Sequence, residues 1–115
     1  MMLAAIQESP STPSPAEGGA AQMQGLRRGR VEGFGMACAA DAWIAEVSSE
    51  QDVASLFEQA RAAGLSVAFR GSGASYGDAA LNTDKVICDI TSMREILSWD
   101  PETGVLRAQA GATVE

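Results

Sequence analysis

The sequence contains no histidine. Imidazole is the side chain that titrates nearest neutrality and the commonest zinc ligand, so its absence removes the usual general base and most metal centres. Cysteine is scarce too. Cys38 and Cys88 stand 50 positions apart with no C-x-x-C spacing, which excludes a zinc cluster and a disulfide scaffold. Cys88 lies within an apolar run and reads as a small buried hydrophobe, and both thiols are expected to be reduced. Positive charge is short: eight Lys and Arg stand against 15 Asp and Glu, a net charge of −7. A nucleic-acid partner needs a basic face to neutralise phosphates, so that class is excluded, although oriented N–H groups can still hold one phosphate locally. No apolar run approaches the ~20 residues of a membrane-spanning helix. The apolar start, Met1 to Ile6, has no basic flank and is too short for an export signal. A cytoplasmic location is therefore expected.

What is present suffices for one small domain. Apolar residues make up 46% of the 115-residue chain. Three of the four prolines (Pro10, Pro13, Pro15) fall in residues 1–24, with several Ser and Ala, Gly18-Gly19 and no periodicity. This stretch reads as a disordered leader, and the domain is expected over 25–115. Its first part carries a basic cluster, Arg27, Arg28 and Arg30, expected as a solvated patch. Gly33-Phe34-Gly35 follows as a turn with an aromatic anchor.

From residue 42 the pattern is regular. Ala42 to Val47 predicts a strand. Ser48 with Gln51 three positions on suggests a capping box. Val53, Leu56, Phe57, Ala60 and Ala63 form one apolar stripe of a helix over 49–63, with Gly64 as its stop. Strands are predicted at 65–69, 85–90, 96–99 and 105–110. Asp100-Pro101-Glu102-Thr103-Gly104 closes the last two into an antiparallel hairpin. Strand, helix, strand in this order suggests a βαβ unit with parallel strands, so the fold class is α+β with α/β character. Thr113 is placed to start a helix, and a chain ending at such a point reads as a fragment.

The richest stretch is Arg70-Gly71-Ser72-Gly73-Ala74-Ser75-Tyr76-Gly77-Asp78, at the carboxyl end of the strand over 65–69. Open α/β sheets bind ligands at that end. A P-loop is ruled out because no Lys follows a glycine. A Rossmann fingerprint is disfavoured twice. Its third glycine would come one residue late, and the 15 residues between Phe69 and Lys85 leave little room for a crossover helix. Two readings remain: a plain solvent-exposed turn, or a loop that wraps a pyrophosphate with its own N–H groups and hydroxyls.

This nine-residue stretch resembles the pyrophosphate loop of FAD-linked oxidases of the vanillyl-alcohol oxidase (PCMH-type) superfamily, and within it the decaprenylphosphoryl-ribose 2′-oxidase-like group. The similarity spans about residues 33–115. It takes in Gly33-Phe34-Gly35, the strand–helix–strand before the loop, Val86 to Thr91, and Ala110-Gly111-Ala112. The resemblance implies the N-terminal lobe of a bilobal FAD-binding domain, here incomplete. It also implies that Arg70, Gly71, Ser72, Gly73, Ala74, Ser75, Tyr76, Gly77 and Asp78 line FAD, with the Gly71–Ser75 backbone and the Ser75 hydroxyl foremost and Phe69 and Ala79 as lesser contacts. Arg70 is expected to pair with Asp78 or to touch the ligand. Tyr76 is expected at the flavin side or as a loop anchor. Covalent members carry His where Ala74 stands, so FAD is expected to be non-covalent. The proline that usually ends the strand before the helix is missing, Val47 and Ser48 occupying that place.

The parent activity so implied is flavin-dependent oxidation of an alcohol or sugar hydroxyl, the hydride passing from substrate carbon to the flavin. The substrate lobe and any base are expected outside these residues, so no catalytic and no metal-ligating residue is assigned. Asp78, Asp84 and Asp89 read as solvated turn and strand-end residues. Alone, the chain is expected to be inactive. Two rivals stand beside this reading: a non-enzymatic nucleotide- or phosphate-binding module, and a truncated product without function.

Overall fold

The computed structural model describes residues 6–8, 19 and 23–114. Five strands form one sheet: β1 (Ile6–Glu8), β2 (Leu26–Glu32), β3 (Ala39–Glu46), β4 (Val67–Arg70) and β5 (Val86–Asp89), in the order β1-β2-β3-β5-β4. A short 3₁₀ turn, Phe34–Met36, links β2 to β3, and helix α1 (Glu50–Ala62) links β3 to β4. A separate antiparallel hairpin, β6 (Ile96–Asp100) and β7 (Val105–Ala108), follows. The fold is α+β, as the sequence implied. Of the expected leader, only residues 6–8, 19, 23 and 24 are described: 6–8 pair with β2 as β1 and Met23 is buried in the core, so these are not the disordered chain expected, and the rest lies outside the described residues.

Strands β3 and β4 are parallel, but β5 lies between them and pairs parallel with both. The βαβ unit is thus split by the strand that follows the glycine-rich loop. Alternation along these strands sends successive side chains to opposite faces. Ala45, Val86 and Cys88 face α1 and pack with Leu56, Ala60, Val47 and Met93. Ala42, Ile44 and Ile87 face the other way, with Val31 of β2 and Leu81. The loop after β4 therefore covers the face that the helix leaves bare. Ile44, Ile87 and Val31 are fully buried there, each worth about 1.5–3 kcal/mol of transfer free energy.

Helix α1 forms where its stripe predicted, but its cap is one residue later than expected. Ser49 is the N-cap and accepts from the Asp52 N–H at 3.1 Å, while Asp52 accepts from the Ser48 N–H at 3.0 Å and hydroxyl at 3.1 Å. Asp52 thus serves both serines, Ser48 through its carboxylate and Ser49 through its backbone N–H, in the place expected of Gln51. Those bonds hold the Asp52 carboxyl below its ordinary pKa. At the other end Gly64 takes φ +69°, and the N–H groups of Gly64 and Leu65 return to the carbonyls of Arg61 and Ala60. These two bonds are those of a Schellman motif.

Strand β2 is a correction. The basic cluster is one strand whose arginines meet carboxylates, Arg27 with Glu46 at 3.2 Å, Arg30 with Asp41 at 3.9 Å and Arg28 with Asp84; Arg27 and Arg30 stay at the solvated surface as expected, while Arg28 is withdrawn from it. Arg28 also lies over the Trp43 ring, 5.5 Å from its centroid. At the far end, residues 112–114 carry no regular structure, and a helix begun at Thr113 would lie outside the described residues. In the hairpin, a register shift between Ile96 and Ser98 brings Ile96 and Trp99 to the side of Ala108 and Leu106. The hairpin stays exposed throughout.

Candidate functional site

Strands β4 and β5 run in parallel register, and each ends in a charge: Arg70 lies opposite Asp89. Both are on the face away from α1 and both are buried, 1% and 6% exposed. Charges withdrawn from water are tolerated only when paired and hydrogen-bonded. Arg70 Nη2 donates to the Glu32 carbonyl at 2.7 Å, and Nη1 to the Ala80 carbonyl at 3.4 Å. Asp89 Oδ1 accepts from the Thr91 N–H at 2.9 Å and hydroxyl at 2.6 Å. Burial lowers the Arg70 pKa from its ordinary value, and Asp89 opposes that shift through space. The expected Arg70–Asp78 pair is not among the ion pairs of the described residues. Asp89 is buried, not a solvated strand end.

Past Arg70 the chain stays irregular to Lys85, with turns and no helix, which disposes of a Rossmann crossover. Gly73 and Gly77 take φ +79° and +63°, a region closed at low cost to all but glycine. Gly73 is buried, Gly71 and Ser72 are half-buried, and Ala74 to Ala79 are exposed. Among the described residues, no N–H from Gly71 to Ala80 donates a hydrogen bond to the protein. Backbone donors are rarely left unpaired unless water or a ligand takes them. A succession of them in a glycine-bent loop is the arrangement that accepts an anion. A Cβ at Gly71 would meet nothing within 4 Å, so the main chain there can be approached closely.

The loop's outer edge rests on the β2–β3 connection. Phe34 and Tyr76 stack edge to face, centroids 5.4 Å apart at 89°. Tyr76 is a loop anchor of this kind, although 82% exposed. A Cβ at Gly33 would stand 2.6 Å from the Gly77 carbonyl oxygen, so the two backbones touch. Gly33-Phe34-Gly35 was legible as an aromatic turn, but nothing in the sequence tied it to this loop. Cys88 is fully buried on the opposite, helix-covered face of β5, its thiol pKa pushed up to about 11 by burial and by Asp89. Asp84 is occupied by Arg28. On the helix side of the same strand ends, an apolar cavity of about 440 Å³ is lined by Val53, Phe69, Ile90, Met93 and Ala110, with Glu50 at its edge. Among the described residues, no cluster of acidic, Cys or His side chains is arranged to hold a metal, and no helix is long and apolar enough to cross a membrane.

The model of a family described as FAD binding domain matches residues 42–115. Among solved structures, the chain superposes on a variant of the BBE-like 1 protein of Physcomitrella patens with a TM-score of 0.56 and 18% identity. That match covers 87% of this chain and 19% of the other, so the chain spans about a fifth of its neighbour's length. At such identity the likeness is one of fold. No curated protein sequence matches the chain.

Proposed function

The chain belongs to the FAD-binding domain family, and from that premise we propose that the Gly71–Ala80 backbone receives the pyrophosphate of a non-covalently held FAD. The observation that carries the reading is the open run of N–H groups from Gly71 to Ala80, bent by two left-handed glycines. It fits a doubly charged, oxygen-rich group, which needs several convergent donors and no fixed cation. The Ser72 and Ser75 hydroxyls are further donors within the stretch. Ala74 leaves no imidazole for a bond to the flavin, and the chain has none elsewhere.

The whole protein is proposed to be a cytoplasmic flavin-dependent oxidoreductase acting on an alcohol or sugar hydroxyl. Bound FAD supplies the hydride-accepting chemistry. This chain supplies binding and orientation, and none of its residues is assigned a catalytic role. The chain alone is proposed to be inactive.

Flavin fluorescence titration of the purified chain tests this. Saturable quenching is expected, weaker than micromolar and competed by inorganic pyrophosphate. No saturable binding would overturn the proposal. Tight binding of another nucleotide in place of FAD would favour a non-enzymatic nucleotide-binding module.

A further inference from the structure

The loop is tied down at two places that lie partly outside the matched family segment. Arg70 is the first. It sits at the loop's entry, and its guanidinium reaches the carbonyl of Ala80 at the loop's exit and that of Glu32 at the end of β2. One planar fork thus spans entry, exit and a neighbouring strand, a geometry that suits guanidinium and not a point-like ammonium. The second is Gly33 and Phe34, the two residues that follow Glu32, where Gly33 abuts Gly77 and Phe34 stacks on Tyr76. Between these ties, the loop's own N–H groups make no protein hydrogen bonds among the described residues. The loop therefore has no internal ladder to keep its shape.

We infer that Arg70, braced on the end of β2, is a positioning residue that keeps the loop in its ligand-ready shape, with Phe34 as the outer brace. The ligand-ready part of this inference rests on the FAD reading above. Arg70 acts on the ligand only through the loop, since its guanidinium is buried and hydrogen-bonded to main chain. A loop already in shape binds more tightly because less ordering is lost on binding. Residues 32–34 precede the family match at 42, so the brace extends the cofactor-holding unit to β2.

Two variants of the full chain test this. R70K keeps the charge beside Asp89 but cannot reach both carbonyls, and F34A removes the outer contact while leaving Arg70 in place. Chymotrypsin cleavage after Tyr76 reads loop opening, because cleavage follows the population of the open form when closing is fast. R70K is expected to speed that cut about tenfold relative to cuts elsewhere, and F34A by a smaller factor. The FAD dissociation constant is expected to rise in the same order. Should R70K fail to fold, F34A and the charge-neutral pair R70M with D89N carry the same comparison. Unchanged cleavage at Tyr76 in folded variants, or equal acceleration at every site, would overturn the inference. So would faster cleavage with FAD affinity unaltered. If the parent chain binds no FAD while the cleavage pattern holds, the brace stands and the FAD reading falls.

Discussion

Replacing Gly71 by Ala separates a loop that holds a ligand from one that merely turns. A Cβ at this position meets no atom within 4 Å, and the residue is not in the left-handed region. Inside the protein, then, the added methyl collides with nothing and strains nothing. Its effect on stability runs through the unfolded chain, which loses conformational freedom, for a gain of about 0.4–1 kcal/mol. In a chain of this size that is a rise in Tm of about 2–4 °C. The effect on binding has the opposite sign. A phosphate oxygen hydrogen-bonded to main-chain N–H groups lies about 2.9 Å from nitrogen, and a methyl on the adjoining Cα intrudes on that approach. Overpacking costs about 1–3 kcal/mol, or about 5- to 150-fold in affinity. Thermal unfolding by circular dichroism and flavin fluorescence titration measure the two quantities on one sample. A variant with raised Tm and undiminished FAD affinity would refute the reasoning, because the open space at Gly71 would then face no ligand. A lowered Tm would refute the structural half.

Gly111 is the opposite case: a Cβ there would lie 2.0 Å from the Ile90 carbonyl oxygen and 2.8 Å from that of Met93, which also accepts the Gly111 N–H. G111A is expected to cost about 3 kcal/mol, seen as a fall in Tm of some 10 °C or more, and an unchanged Tm would show that this backbone contact yields. The Asp52 carboxyl is held below its ordinary pKa by Ser48 and Ser49. Its contribution to α1 is therefore complete above the unfolded value near 4 and is lost as pH falls through the lower folded value. D52N should flatten the loss of stability below pH 4 in acid titrations followed by circular dichroism; identical acid profiles would exclude the capping role. Of the two free thiols, Cys38 is exposed, whereas Cys88 is buried with its pKa near 11. A thiol reagent should label one site in the native chain and the second only in denaturant, and rapid labelling of both would contradict the packing of β5. Trp99 is largely exposed and Trp43 half-buried, so acrylamide should quench a W43F variant more steeply than a W99F variant.

The elements legible in the sequence were those whose causes are local. The α1 stripe, its Gly64 stop and the Asp100–Gly104 turn each depend on residues within a few positions of one another. Strand β2 was missed because its stabilisation is not local. Arg27, Arg28 and Arg30 look like a bare basic patch until the fold sets them beside Glu46, Asp84 and Asp41, and those long-range neighbours are not written in composition. The insertion of β5 between β3 and β4 was hidden for the same reason. The loop's glycines were legible, since left-handed backbone selects for them. Its dependence on Glu32, Gly33 and Phe34 was not.

One signal for Arg70 was available. Val67-Ala68-Phe69-Arg70 and Val86-Ile87-Cys88-Asp89 are both apolar runs ending in a single charge, and the charges are opposite. Parallel neighbours aligned at those ends bring the two charges side by side on one face. That alignment ties the loop's chemistry to the sheet's stability. An Arg70 turned outward to a ligand would give up its bonds to the Glu32 and Ala80 carbonyls and its through-space attraction to the buried Asp89. The sheet therefore keeps the arginine inside. With its only flanking cation so committed, the loop has only its own N–H groups and hydroxyls to offer an anion. On the proposed FAD reading, three glycines in seven residues (Gly71, Gly73, Gly77) let the backbone itself come close to the ligand where no side-chain charge is free to serve it.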